Sequence, residues 1–450
     1  MTETFNRVAD FILKLAPGDL PGGTREAAAL MFLDTLGVAI GAAPMQAGRI
    51  ARGTAAALYG SSSPSHSARM LLDGRRVSVA GAAFAAAAAT DNLDAHDGYA
   101  PSKGHIGVVI IPAIAALAET VRDLSGPEAL TLTTIGYEIA GRAGLALHAN
   151  VSDYHTSGAW NALGVAAVAA RMRRLSRAQL REALGIAEYH GPRSQMMREI
   201  ANPTMLHDGS AWGALAGISA AVLAEGGFTG APAITVEAPE AAAHWDDLGK
   251  FWQVQHQYVK PYPICRWAHA PIDALRGLMR KHRFGPEQIE NIHIRTFRES
   301  ACLYAGLPET TSQAQYSLAF AVAVMGVHGR IGVEHITGAG LHDPQAAALH
   351  SRITVSEAPR HSARFPACRV ADVEVTLTSG AVLRSGDVHA RGGPESPMPR
   401  DEITGKFMEF AVPVVGEPRS ELIREAVLGF TREGSRFSQL AELLYAAPGG

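Results

Sequence analysis

Apolar residues recur at helical spacing through most of the first 265 positions of this chain. Arg25–Gly41 (REAAALMFLDTLGVAIG) is the clearest case, with Asp34 as its only interior acid. Ala80–Thr90 is nearly all alanine, a strong helix former that also lets neighbouring helices approach closely. Val108–Asp123 and Gly126–Leu147 continue the pattern, the second starting at Pro127 after a turn at Ser125-Gly126. Trp160–Met172 is rich in Ala and Val, Ser176 opens a capped amphipathic helix (SRAQLREALGIAEYHG), and Asp208–Gly226 is another small-residue helix. So many Ala/Gly-rich helices predict one tightly packed helical domain.

The pattern changes near residue 285. Asn291–Phe297, Arg352–Glu357 and Ala371–Thr378 alternate or are β-branched, and SGAVLRSGDVHA continues the last as a hairpin partner. Gln315–Val327 is an apolar helix between the first two strands. The Pro/Gly-rich GGPESPMPRDE (392–402) reads as a linker, after which GKFMEFAV and REAVLGFTREGSRFSQLAELLYA return to helical spacing. The expected fold is mainly α with a smaller α+β domain. Residues 1–268 form the helical domain, 400–450 pack back on it, and 269–399 form an inserted α+β lid.

Composition narrows the function classes. At 450 residues the chain exceeds one ordinary core. Its 47% hydrophobic and 18% charged residues are those of a globular protein. A net charge of −3 leaves no footprint for nucleic acid or a membrane surface, so an anionic ligand must be held by local Arg and Lys. Three well-separated cysteines (Cys265, Cys302, Cys368) make no disulfide framework and no CxxC pair, which fits a reducing compartment. The N-terminus lacks the basic-then-apolar layout of a signal peptide, and apolar runs are broken before membrane-spanning length, so a cytoplasmic location is expected. No GxGxxG or P-loop interrupts the helices.

The densest chemistry lies in Thr90–Gly107, TDNLDAHDGYAPSKGHIG. It places Asp91, Asp94, Asp97, His96, His105 and Lys103 between two apolar helices, where a loop can bring charge to the wall of a core. Its bland alternative is a solvated acidic loop. His155 lies in a polar pre-helix segment, SDYHTSGAWNALG. GPRSQMMREIANPTMLHDGSAWG carries Arg193, Arg198, His207 and Asp208, which could equally be surface arginines and a helix cap. In QYVKPYPICRWAHAPIDA, Lys260 and Arg266 flank two prolines, a stiffened loop suited to clamping a carboxylate, or simply a domain linker. A metal site from Asp91, Asp94, His96 and Asp97 would instead imply a metallohydrolase, but no HExxH or second His pair accompanies it.

These stretches together resemble the MmgE/PrpD family over nearly the whole length. LDTLGVAIGA (33–42) is similar to its N-terminal helix signature. DNLDAHDGYAPSKGHIG resembles its acidic loop ending in His-Pro-Gly, with Ile106 in place of proline, and DYHTSGAWNALGVAA its His-Pro-Thr-Gly segment. AEGGFTGAP, KPYPICRWAHAPIDA, AQYSLAFAVA and GGPESPMPRDEITGKF complete the series in order and spacing.

The resemblance implies a two-domain homodimer without metal or organic cofactor, its active site in the cleft between helical domain and lid. The family includes 2-methylcitrate dehydratase, cis-aconitate decarboxylase and iminodisuccinate epimerase, so the substrate class implied is a small di- or tricarboxylic acid. The site residues implied are Asp94, His105, His155, Lys260 and Tyr316. His105 and His155 would form the proton-transfer pair, with Asp94 tuning one of them. Substrate carboxylates would fall to Lys260 and Arg266, joined by Arg193 or Arg198, with Lys103, Asp97 and Thr204 as further substrate contacts. Two departures stand out. Decarboxylase members carry a threonine where this chain has Gly98. Many members also carry a lysine in the loop where this chain offers Thr204 or His207. The departures count against decarboxylation and against a simple dehydratase, and the lost lysine suits an epimerase; dehydration stays the leading reading, with epimerisation as the alternative.

Overall fold

The computed structural model describes residues 1–121 and 123–448. Its N-terminal part is built from α1 (Glu3–Lys14), α2 (Gly22–Ala42), α3 (Gln46–Leu58), α4 (Val79–Leu93), α5 (Gly107–Ala118), α6 (Gly126–Asn150), α7 (Gly158–Met172), α8 (Arg177–His190), α9 (Met196–Ala201) and α10 (Ser210–Glu225). A two-stranded ribbon, β1 (Ser67–Arg69) against β2 (Arg76–Ser78), is inserted before α4. Local chemistry sets several boundaries. Ser176 and Gln179 exchange side-chain and backbone hydrogen bonds (2.9 and 3.3 Å), a capping box that starts α8. Ser125 Oγ accepts the Glu128 N–H at 3.2 Å and starts α6. α5 stops at Ala118, short of the expected Asp123. Its apolar run ends there, Glu119 is taken by Arg69 at 2.8 and 2.9 Å, and Asp123 is left-handed; Arg122 lies outside the described residues.

The second part holds α11 (His269–His282), β3 (Ile289–Thr296), α12 (Thr311–Gln315), α13 (Leu318–His328), β4 (Ile353–Glu357), β5 (Val370–Leu377), β6 (Val382–Arg384) and β7 (Val388–His389). The strands run in the order β4-β3-β5-β6, with β7 also on β5. β3 and β4 are parallel, joined through α12 and α13, while β5 is antiparallel to β3, β6 and β7. The expected helix Gln315–Val327 is two helices, broken at Tyr316–Ser317, because Ser317 Oγ accepts the Phe320 N–H at 3.3 Å and begins α13 afresh.

The chain closes with α14 (Arg400–Val415), α15 (Glu417–Leu428) and α16 (Ser438–Tyr445). α14 lies along α2 so closely that a Cβ on Gly37 would sit 3.0 Å from the Phe407 ring and 3.1 Å from the Phe407 Cα, so any side chain there would push the two helices apart by a few tenths of an ångström. Lys406 of α14 bonds the Asp34 carboxylate and the Ala95 carbonyl, both at 2.6 Å, tying the last helices to α2 and to the loop after α4.

Two hydrophobic cores result. One joins the N-terminal helices to Phe407, Ile423, Phe430 and Leu440 of the closing segment. The other is centred on the sheet and α13, and reaches back to Val38, Ala42, Ala89, Leu93 and Ala95. The end of α4 therefore lies at the seam between cores. No single helix among the described residues is long and apolar enough to cross a membrane.

Candidate functional site

The loop after α4 is shaped by its backbone. Asp94 closes α4 in the left-handed conformation (φ 54°), and Lys103 repeats it (φ 61°). Between them, Gly98 exchanges backbone hydrogen bonds with Tyr258 (3.0 and 2.8 Å). A side chain at 98 would run into the Tyr258 phenol and lie 2.9 Å from His105 Nδ1, so this close approach needs glycine.

His105 is fixed from two sides. Its backbone N–H donates to Ser157 Oγ (2.9 Å), and its Nδ1 faces the Asp97 carbonyl oxygen at 2.7 Å. A carbonyl only accepts, so Nδ1 carries the proton and Nε2 keeps its lone pair in the neutral ring. That Nε2 lies 3.5 Å from Asp208 Oδ2. Burial, followed by the charge of Lys260, pushes the His105 pKa down to about 4, so the ring is neutral at ordinary pH. Asp208 is anchored by Ser157, whose N–H and Oγ–H donate to Oδ1 at 3.2 and 2.7 Å. It does not cap α10, as its position suggested. That helix begins after left-handed Gly209, and its first N–H, from Ser210, goes to Asp91 Oδ2 at 3.2 Å.

His105 opens into a pocket of about 360 Å³ at the seam between the cores, with Asp94, Lys260, Asp208, Tyr316, Lys103 and Arg369 on its walls. Lys260 forms a buried ion pair with Asp94 and also donates to the Asp94 carbonyl at 3.1 Å. Burial raises Asp94 to about 6 despite that cation; at Lys260 burial pulls down, but Asp94 together with Tyr258 and Cys265 outweighs it and the pKa is raised. A carboxyl shifted up and an imidazole shifted down thus share one small cavity, the separation that acid–base work requires. The Tyr316 hydroxyl bonds Glu199, whose own pKa burial and Asp208 push well up. A second compartment of about 820 Å³ opens outward and shares Tyr258, Arg266 and Arg369 with the first.

Six of the sequence candidates meet at this pocket: Asp94, His105, Lys260, Tyr316, Lys103 and Arg266. Arg266 is committed elsewhere, however, donating to the Arg391 and Ala390 carbonyls (2.6 and 3.1 Å) and stacking on Tyr258.

The others are placed differently. His155 is buried but does not line the pocket. Residues 154–156 run as a bridge against 194–196, and their alternation sends Tyr154 inward and His155 away, its N–H donating to His148 Nε2. The ring beside His105 is His96, with centroids 4.4 Å apart. Asp97 is fully buried under the loop, accepting from Thr35 (3.3 Å) and the Gly107 N–H (3.4 Å), so it positions rather than binds. His207 sits behind Tyr316, and burial lowers its pKa to about 4, so it supplies no standing charge. Arg193, Arg198 and Thr204 are exposed and away from the pocket, because the segment between α8 and α10 turns its long polar side chains to solvent. The four residues of the alternative metal reading diverge: Asp94 goes to Lys260, Asp91 to Ser210 and His96, and Asp97 to Thr35. Asp94, His96 and His105 do bring one ligand atom each within 4.8 Å, but the only carboxylate of that trio already holds the Lys260 ammonium.

Sequence reasoning passed over Glu199, Tyr258 and Arg369 and gave Asp208 only a capping role. Asp208 and Glu199 stood in a flagged segment, and Tyr258 two residues before Lys260. Nothing in the sequence around Arg369 marks it.

Comparison with known proteins agrees with this geometry in extent. Residues 6–245 match the family model of the MmgE/PrpD N-terminal domain and residues 262–430 that of the MmgE/PrpD C-terminal domain. A cis-aconitate decarboxylase of Aspergillus terreus is 23% identical over 488 aligned positions, covering 98% of this chain and 95% of the relative. A second protein of that name, from Aspergillus terreus strain NIH 2624 / FGSC A1156, is 24% identical over 464 positions, covering 93% and 91%.

Proposed function

The chain belongs to the MmgE/PrpD family, and from that premise we propose that it is a cofactor-independent lyase acting on a small di- or tricarboxylic acid, with dehydration as its reaction. The observation that carries the reading is His105: a neutral imidazole, its Nδ1–H fixed on the Asp97 carbonyl, with Nε2 free to act beside cationic walls. Nε2 takes the proton from the carbon next to a substrate carboxylate. The electron pair of that C–H bond becomes the new C=C as the neighbouring C–O bond breaks. The departing hydroxide takes a proton from Asp94, whose raised pKa suits it to the acid role, and leaves as water. Asp208 stabilises the imidazolium that forms, Lys103 stabilises charge developing on the carboxylate, and Lys260 compensates Asp94 as its proton leaves.

A second reading, decarboxylation, is favoured by the two relatives, both named as cis-aconitate decarboxylases. Against it stands Gly98, which occupies the position where decarboxylase members carry threonine and which Tyr258 leaves no room to replace. Proton NMR in D₂O with citrate, 2-methylcitrate, cis-aconitate and iminodisuccinate separates the readings. A new unsaturated product with every carboxylate retained (a vinyl proton from citrate, an allylic methyl on a fully substituted alkene from 2-methylcitrate) establishes dehydration, and a new alkene with CO₂ release establishes decarboxylation. Deuterium uptake at an α-carbon without new product makes the protein an epimerase, and neither product nor exchange with any acid overturns the lyase reading.

A further inference from the structure

We propose that Arg369 is a specificity-determining residue that binds a distal carboxylate of the substrate at the neck between the inner pocket and the outer compartment. The inference rests on reading the inner pocket as a polycarboxylate site. Four cationic side chains line that pocket, and two are already spent. Lys260 is paired with Asp94, and Arg266 is saturated by two backbone carbonyls. Lys103 and Arg369 remain. Lys103 comes from the loop that carries His105, and its ammonium lies 5.5 Å from the centre of the Tyr154 ring. Arg369 comes from a separate segment, the residue immediately before β5.

Among the described residues Arg369 makes no ion pair and no hydrogen bond. Its Nε is buried without a partner, and its guanidinium lies 5.8 Å from the centre of the Tyr258 ring. A shielded guanidinium donor without an acceptor is unfavourable in the empty protein, and an incoming acceptor removes that penalty. The planar fork of arginine matches a carboxylate with two parallel N–H···O bonds. Arg369 also borders both the 360 Å³ pocket and the 820 Å³ compartment, so whatever it holds lies at the passage between them. A substrate with two neighbouring carboxylates beside Lys103 and His105 and a third on Arg369 is held at both ends of the passage. An acid lacking the third carboxylate leaves Arg369 unpaired and is selected against.

Calorimetric titration with two unreactive analogues, propane-1,2,3-tricarboxylate and propane-1,2-dicarboxylate, tests this without relying on turnover. Wild type is expected to bind the tricarboxylate about 10- to 100-fold more tightly, the range of one charge-assisted bidentate contact. Arg369→Met loses that preference, to within about threefold, with its dicarboxylate affinity little changed, while Arg369→Lys keeps part of it because an ammonium restores charge but not the fork. Arg369→Met retaining the full preference overturns the assignment alone. Wild type binding neither analogue overturns the polycarboxylate reading and the assignment with it.

Discussion

Two stretches of this chain concentrate ionisable residues, 90–107 and 191–209, and the fold treats them oppositely. The first turns its groups inward: Asp91, Asp94, His96, Asp97 and His105 are all buried. The second divides by type. Arg193, Arg198 and Thr204 face solvent, while Glu199 and His207 are buried behind the pocket and Asp208 is buried on its wall. The difference lies in what flanks them. The first connects α4 and α5, both buried almost all round, so its loop has no open side to face. The second joins α8 to α10, which keep exposed flanks, and there long arginines reach water while short acids are trapped beneath. Charge density in a sequence marks a site when the neighbouring helices leave the loop nowhere else to go.

Removing the base gives the sharpest contrast. His105→Gln should lower kcat by about 10²- to 10⁴-fold, the usual worth of a positioned general base, with an unchanged circular dichroism spectrum. Loss below tenfold would move the chemistry to another residue of the first stretch. Next, Lys260→Met should cost about 3–5 kcal/mol by denaturant unfolding, because it strands a buried carboxylate. The deficit has a defined pH sign. Asp94 has a folded pKa raised above its unfolded value, and losing the cation raises it further, so the folded variant holds a proton that the unfolded chain releases. The deficit therefore grows as pH rises through about 6 and shrinks toward pH 4. A deficit independent of pH would separate Lys260 from Asp94.

A smaller effect comes from the pH profile. Because His105 must be neutral and titrates near 4, kcat/KM should fall about tenfold per unit below pH 4. An acid limb centred near 6.5 instead would show that His105 is solvated in the working enzyme. The smallest effects test the outward side. Arg193→Ala and Arg198→Ala should each change kcat/KM less than about twofold and stability by no more than about 0.5 kcal/mol, as surface substitutions do. A tenfold rise in KM for either would bring the second stretch back to the substrate.

Much of the fold was legible because it is written locally. Ser176 caps α8 as its sequence promises, α6 begins one residue before the expected Pro127, and the alternation read over 291–297 and 371–378 becomes β3 and β5 shifted by one or two residues. The site was legible where motif and loop coincide, at Asp94, His105 and Lys260. What stayed hidden depends on contacts between distant segments. The break at Tyr316–Ser317 places Tyr316 on the pocket wall and against Glu199, a meeting that no periodicity encodes. His155 looked equivalent to His105 until the pairing of 154–156 with 194–196 assigned the inward place to Tyr154. Arg369 matters only because β5 begins at the neck of the cavity.

The bond from Lys406 to Asp34 and to the Ala95 carbonyl has a consequence in time as well as in space. The floor of the reactive loop is fastened by a residue 311 positions further along the chain. A ribosome-held chain that has emerged only as far as the 392–402 segment already contains every residue of the pocket walls named above. It still lacks the ammonium that neutralises Asp34 and grips Ala95, so the loop has no finished base to rest on. The bonds that finish that base form only once the helix carrying Lys406 has packed against α2.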